Sequence, residues 1–240
     1  MLFPIGDDNS DRLTLPYVNW AFIVINILVF VFLQGFGSND RFTYAYSTVP
    51  QEIRTGRDVV TSDRTVVDEA SGQRYVQPGL QPTPVPVYLT LLISMFMHGG
   101  IMHIAGNMLY LFIFGDNIED RLGHLRYAVF YLVCGVLAGL AHVLTNLDST
   151  IPSLGASGAI SGVMGGYILL FPTRRVRVIM LQMVTQVPAY VALGLWIVLQ
   201  LVEGYVSQGR GGVAYAAHVG GFIAGLVLIK IFTLGRPARV

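Results

Sequence analysis

Six apolar segments govern what this chain can fold into. They lie at about residues 17–34, 101–118, 125–145, 158–171, 187–206 and 213–234. Each is long enough, or nearly so, to cross a hydrocarbon core about 30 Å thick as a helix. In lipid only helices or closed barrels satisfy every backbone polar group, so the spacing predicts an all-α membrane protein. The expected architecture is a six-transmembrane-helix bundle in one domain, residues 1–240. With 53% of residues apolar and only 12% charged, the chain is far from the average soluble domain. Residues 37–100 form a long first extramembrane loop, polar from Gly37 to Pro86. Within it Tyr88–Met97 is apolar enough for a short interfacial helix.

The first segment reads as a span and not as a signal peptide, because Asp7, Asp8 and Asp11 precede it where basic residues would be required. Arg121, Arg126, Arg174, Arg175, Arg177, Lys230, Arg236 and Arg239 all fall on one side if the amino terminus is cytoplasmic. Basic residues in short loops favour the cytoplasm, so both termini are expected there. A compact chain without a transit-type leader predicts a multi-pass protein of the cell membrane. The net charge of +1, with its basic residues scattered, speaks against nucleic acid as a partner. Cys134, the single cysteine, reads as a small core residue. The sequence bears no signal of oligomeric state.

Two polar residues stand out inside the apolar segments. Ser157 occupies Gly155-Ala156-Ser157-Gly158 at the start of the fourth, and His218 occupies Ala217-His218-Val219-Gly220-Gly221 in the sixth. Ionisable groups in a membrane are costly and usually functional. Counting back at about 1.5 Å per residue, Ser157 lies about 22 Å from Pro172 and His218 about 21 Å from Phe232, so both are expected at one depth. Ser157, Ser161 and Gly165 repeat every fourth position, as do Ala217, Gly221 and Gly225. Such stripes let helix backbones approach closely, and they predict contact between the fourth and sixth helices.

A second polar group opens the second segment: His98, then His103 and Asn107 four apart on one helical face. A metal site fits poorly, since neither carboxylate nor cysteine accompanies the histidines. Donation to a developing oxyanion fits better, because imidazole N–H and amide NH₂ both suit that task. No metal or other cofactor is expected.

Together, His98-x₄-His103-x₃-Asn107, Gly155-Ala156-Ser157-Gly158 and Ala217-His218 followed by Gly221 resemble the rhomboid family of intramembrane serine proteases. The resemblance covers about Thr90 to Gly225. It implies a Ser–His dyad in a water-filled cavity open to the outer face, cleaving single-span membrane proteins within the lipid bilayer. By this resemblance Ser157 is the nucleophile and His218 the general base. His103, Asn107 and the Ser157 backbone N–H line the oxyanion hole. His98 is structural and organises the first loop, Gly155 fits a tight loop before the nucleophile, Gly158 is a supporting residue beside it, and Gly221 lets the fourth and sixth helices meet. The alternative reading is a catalytically inactive relative that binds membrane clients.

The chemistry also follows from the residues. A serine hydroxyl needs a neighbouring base, and neutral histidine is well matched near pH 7. At a helix N-terminus Ser157 sits where free N–H groups favour negative charge. Neither Asp148 nor Glu203 has a spacing that points at His218, so a dyad oriented by packing is expected. Ser161 stands where many relatives carry an aromatic residue that stacks on the base. His142, in the third segment, reads as a hydrogen-bonded packing residue. Gly209, Gly211 and Gly212 suggest a mobile cap, and the fifth span a lateral gate.

Overall fold

The computed structural model describes residues 2–67, 74–207 and 214–236; the glycines expected to form a cap, 209, 211 and 212, lie outside them. Strand β1 (Leu2–Asp7) leads into α1 (Tyr17–Leu28), which ends in a π-helical turn, Val29–Leu33. The first loop carries α2 (Asp40–Tyr46), α3 (Pro50–Thr55) and an antiparallel pair, β2 (Arg64–Val67) with β3 (Arg74–Gln77). A run of helical turns, Val87–Phe96, contains α4 (Thr90–Ile93) and meets α5 (Ile101–Leu122) at an 80° bend. Helices α6 (His124–Thr145) and α7 (Ser157–Leu170) follow. Strands β4 (Arg175–Met180) and β5 (Met183–Pro188) then lead to α8 (Ala189–Ser207) and α9 (Tyr215–Phe232).

Among the described residues each of the six apolar segments is mostly helical. By length and hydropathy α6, α8 and α9 can cross a membrane, α5 with its bent leader makes a fourth candidate, and Tyr17–Leu33 and α7 are shorter apolar helices. Their outward faces are apolar: Phe32, Phe112, Leu144, Val198, Leu201 and Val227 are all exposed. An apolar surface of this extent belongs in lipid. Inside, Leu111, Phe114, Ile118, Phe130, Tyr131 and Tyr167 are fully buried.

The all-α expectation fails in the connecting segments. β1, β4 and β5 form an antiparallel three-stranded sheet in the order β1-β4-β5. Along β4, Val176 and Val178 are buried while Arg175 and Arg177 are exposed. That two-residue alternation is a strand pattern, which the sequence reading took only as a basic cluster. The fifth helix consequently begins at Ala189, because Val187 belongs to β5.

The contacts sort the ends of the helices onto two faces. On one, Glu119 at the end of α5 accepts the Val18 and Asn19 N–H groups at 2.9 and 2.7 Å, and Asp120 accepts those of Leu13 and Thr14 at 3.1 and 2.8 Å. Two carboxylates thus satisfy free donors in and before the first turn of α1. Arg12 pairs with Asp116 at 2.5 Å, and Arg126 donates to the Leu234 carbonyl just beyond α9 at 2.8 Å. On the opposite face the first loop is tied to the α6–α7 connection by the Thr48–Ser153 bridge and by the Arg54–Asp148 pair at 2.8 Å. The start of α7 lies at this second face.

Candidate active site

Ser157 is the first residue of α7. The turn before it needs Gly155, whose φ of +125° is a conformation that other L-residues rarely adopt. The Gly155 N–H donates to the Ser94 carbonyl at 2.9 Å, fixing the turn against the bent leader of α5. Close helix contact then brings α9 alongside. A Cβ on Gly221 would fall on the Gly158 carbonyl oxygen, and one on Gly225 on that of Gly162. The Ala217-Gly221-Gly225 stripe thus faces α7 as expected. Along α7 the predicted stripe meets α9 at Ser157, which contacts His218, and at Gly165, where a Cβ would fall on the Phe222 carbonyl oxygen; between them the Gly158 and Gly162 carbonyls make the close contact. Ser161 turns back, its Oγ donating to the Ser157 carbonyl at 2.6 Å.

This packing sets His218 Nε2 2.8 Å from Ser157 Oγ. The other ring nitrogen, Nδ1, lies 2.6 Å from Gln200 Oε1 on α8. Trp196, one turn before Gln200, places its ring centroid 6.0 Å from the imidazole at 38°, and the Tyr215 ring lies edge-on at 6.4 Å. Packing alone was the expected means of orienting His218, and the Gln200 contact corrects that reading. Neither acid weighed as a third member is there: Asp148 pairs with Arg54, and Glu203 hydrogen-bonds Tyr215.

The second polar group converges on the same place from α5. His103 Nδ1 accepts the Gly99 N–H at 3.2 Å, which leaves its proton on Nε2. That atom would lie 2.9 Å from a Cβ on Gly155, so it is directed at the turn before Ser157. Asn107 is buried, and its Nδ2 has no hydrogen-bond partner among the described residues. Two side-chain donors therefore join the α7 N-terminus, an arrangement suited to an oxyanion. His98 is fully buried, its ring 5.1 Å from that of His103 and nearly perpendicular. Its backbone is held by Gln34, which accepts the His98 N–H at 2.8 Å and donates to its carbonyl at 3.0 Å.

A cavity of about 40 Å³ opens beside Ser157, lined among others by Ser94, His142, Ser153 and Gly155. That is room enough to hold water, which needs about 10–15 Å³ by this measure. His142 was expected to be a hydrogen-bonded packing residue, yet its buried Nδ1 has no partner among the described residues and the side chain lines this cavity. Cys134 is a fully buried core residue, as expected.

The family model described as the rhomboid domain matches residues 86–234. The chain is 31% identical over 147 residues to RHOMBOID-like protein 5 of Arabidopsis thaliana, covering 61% of this chain and 44% of that protein. It is 31% identical over 156 residues to Rhomboid protein 1, mitochondrial, of Saccharomyces cerevisiae, with 62% and 43% covered. It is 30% identical over 138 residues to the human Presenilin-associated rhomboid-like protein, mitochondrial, with 57% and 36% covered. The aligned part is thus less than half the length of these curated relatives.

Proposed function

The chain belongs to the rhomboid family, and we propose that it is an intramembrane serine endopeptidase working through a Ser157–His218 dyad. The observation that carries this reading is the 2.8 Å contact between Ser157 Oγ and His218 Nε2, made between two apolar helices. In the proposed reaction Ser157 Oγ attacks the scissile carbonyl carbon as its proton passes to His218 Nε2. The oxyanion is met by the Ser157 N–H, His103 Nε2–H and Asn107 Nδ2–H. Collapse of the tetrahedral intermediate breaks the C–N bond, and His218 gives the proton to the leaving amine. Water then attacks the acyl-enzyme with His218 again as base, releasing the carboxylate product and free serine. The cavity beside Ser157 supports this reading, because deacylation needs water at that depth.

The proposed substrates are single-span membrane proteins. The six helices are read as six spans, and α8 as the gate through which a substrate helix enters, since its share of buried residues is the lowest among α6, α8 and α9. We place the β1-β4-β5 face, with Arg174, Arg175 and Arg177 near it, in the cytoplasm of a cell with the protein in its cell membrane. The first loop and Ser157 then face outward.

The test is cleavage of a single-span model substrate by reconstituted protein beside Ser157→Ala and His218→Ala. Cleavage by wild type and by neither variant is expected. Activity that survives Ser157→Ala would refute the mechanism. A folded wild-type protein that neither cleaves nor reacts with a fluorophosphonate would point instead to a client-binding member of the family.

A further inference from the structure

We propose that Gln200 is the positioning residue for the base, holding His218 in the tautomer that catalysis requires. The proposal rests on the reading of Ser157 and His218 as nucleophile and base. An amide oxygen can only accept, so Gln200 Oε1 at 2.6 Å requires the proton on His218 Nδ1. Nε2 is then bare and faces Ser157 Oγ at 2.8 Å, ready to accept its proton. Without Gln200 the neutral ring is free to place its proton on Nε2, where it would face the serine hydroxyl and could not act as a base.

A neutral acceptor differs from the carboxylate of a triad. It fixes orientation and tautomer but adds no full negative charge beside the imidazolium formed during the reaction. The titratable groups around His218 are His103 on α5, His142 on α6, Glu203 on α8 and Tyr215 on α9. The position of Gln200 has a second consequence. α8 is anchored at its start by the buried Ala189, Ala192 and Leu193, whereas Val198, Leu201 and Val202 around Gln200 are exposed. The orienting bond therefore lies in the weakly packed half of α8, and the base stays set only while that half is seated against α9.

The test pairs kinetics with ¹⁵N spectroscopy of the imidazole in reconstituted protein, the His218 signals being assigned by their loss in His218→Asn. In wild type, Nδ1 protonated and Nε2 bare is expected, and Gln200→Leu should give a mixture of tautomers. Gln200→Leu should lower kcat about tenfold with KM unchanged, roughly what one net hydrogen bond is worth. Gln200→Glu restores an acceptor and should recover kcat at high pH, with the acid limb of the rate profile moved upward by about one pH unit. A wild-type proton on Nε2 would overturn the proposal, as would a Gln200→Leu variant altered in KM alone. The spectrum needs no substrate, so a protein that cleaves nothing would fail the protease reading while the tautomer result still stood on its own.

Discussion

Asp7 makes the seating of the amino-terminal strand depend on pH. Its side chain is buried on β1, where Oδ2 accepts the Tyr167 hydroxyl at 2.6 Å and the Asn117 amide at 2.8 Å. Burial raises its pKa from 3.8 to about 7. Repulsion from Asp116 acts the same way, and the Tyr167, Arg174 and Asn117 contacts act against it. An undocked strand loses the proton near 3.8 while the docked strand keeps it. Docking is therefore strongest below about 3.8, weakens as pH rises, and has lost the whole contribution once pH passes about 7. A difference of about three pH units corresponds to as much as about 4 kcal/mol. Amide hydrogen exchange of the β1–β4 pairs reads this directly in reconstituted protein, once corrected for intrinsic rates. Between pH 5 and 8 wild-type protection should fall about a hundredfold, tenfold for each pH unit up to the folded pKa. Asp7→Asn keeps the shape and an acceptor oxygen but cannot ionise, so its protection should be flat over that range and exceed wild type at pH 8. The same slope in Asp7→Asn, or a flat wild-type profile, would refute the assignment to Asp7.

Asn107→Ala removes a buried donor that bonds nothing among the described residues. It should lower kcat about 10²–10³-fold with little change in thermal stability or KM, measured by cleavage kinetics beside a melting curve. Gly225→Ala would drive a methyl group into the Gly162 backbone. It should lower the melting temperature and slow fluorophosphonate labelling of Ser157 by forcing α7 and α9 apart. Gly194→Ala on α8, where a Cβ meets nothing within 4 Å, is the matched control and should do neither.

The Ser157 and His218 positions, which the structure brings into contact, stood out because their signal is local: small residues around a lone serine or histidine in an apolar run. The α9 stripe was legible for the same reason, since a repeat of four marks one helical face whatever packs on it. On α7 the stripe was legible at Ser157 and Gly165 but not at Ser161, because its neighbours Gly158 and Gly162 are also small and their carbonyls meet α9 instead. Only the partner helix decides which set faces it. Gln200 was missed for a related reason, as its partner lies eighteen residues away on another helix. A signal was present: Gln200 is the amide in an otherwise apolar run, one turn after Trp196, and intramembrane amides usually bond another helix. The sheet was hidden because β1 pairs with a strand over 160 residues distant, and because arginines on its exposed positions read as topology signals.

The two faces differ in how their buried polar groups are bonded, and the difference supports the proposed placing of the chemistry. At the β1-β4-β5 face the buried polar groups are bonded to one another: Asn19 to Tyr127 and the Leu111 carbonyl, Glu119 to α1, and Asn117 to Asp7 and Arg174. Such a network holds α1, α5 and α6 in fixed register and leaves little to bind a substrate. At the other face His98 Nδ1 and Nε2, Asn107 Nδ2 and His142 Nδ1 are buried without partners among the described residues. Asn26 Oδ1 and the Tyr131 hydroxyl, also buried, have each other as neighbours between α1 and α6. A buried polar atom left unbonded costs about 1–3 kcal/mol. Such a cost concentrated around Ser157 is understandable if Asn107 and its neighbours are held ready for charge that develops during reaction. The saturated network at the far end then supplies the rigidity that keeps those donors aimed.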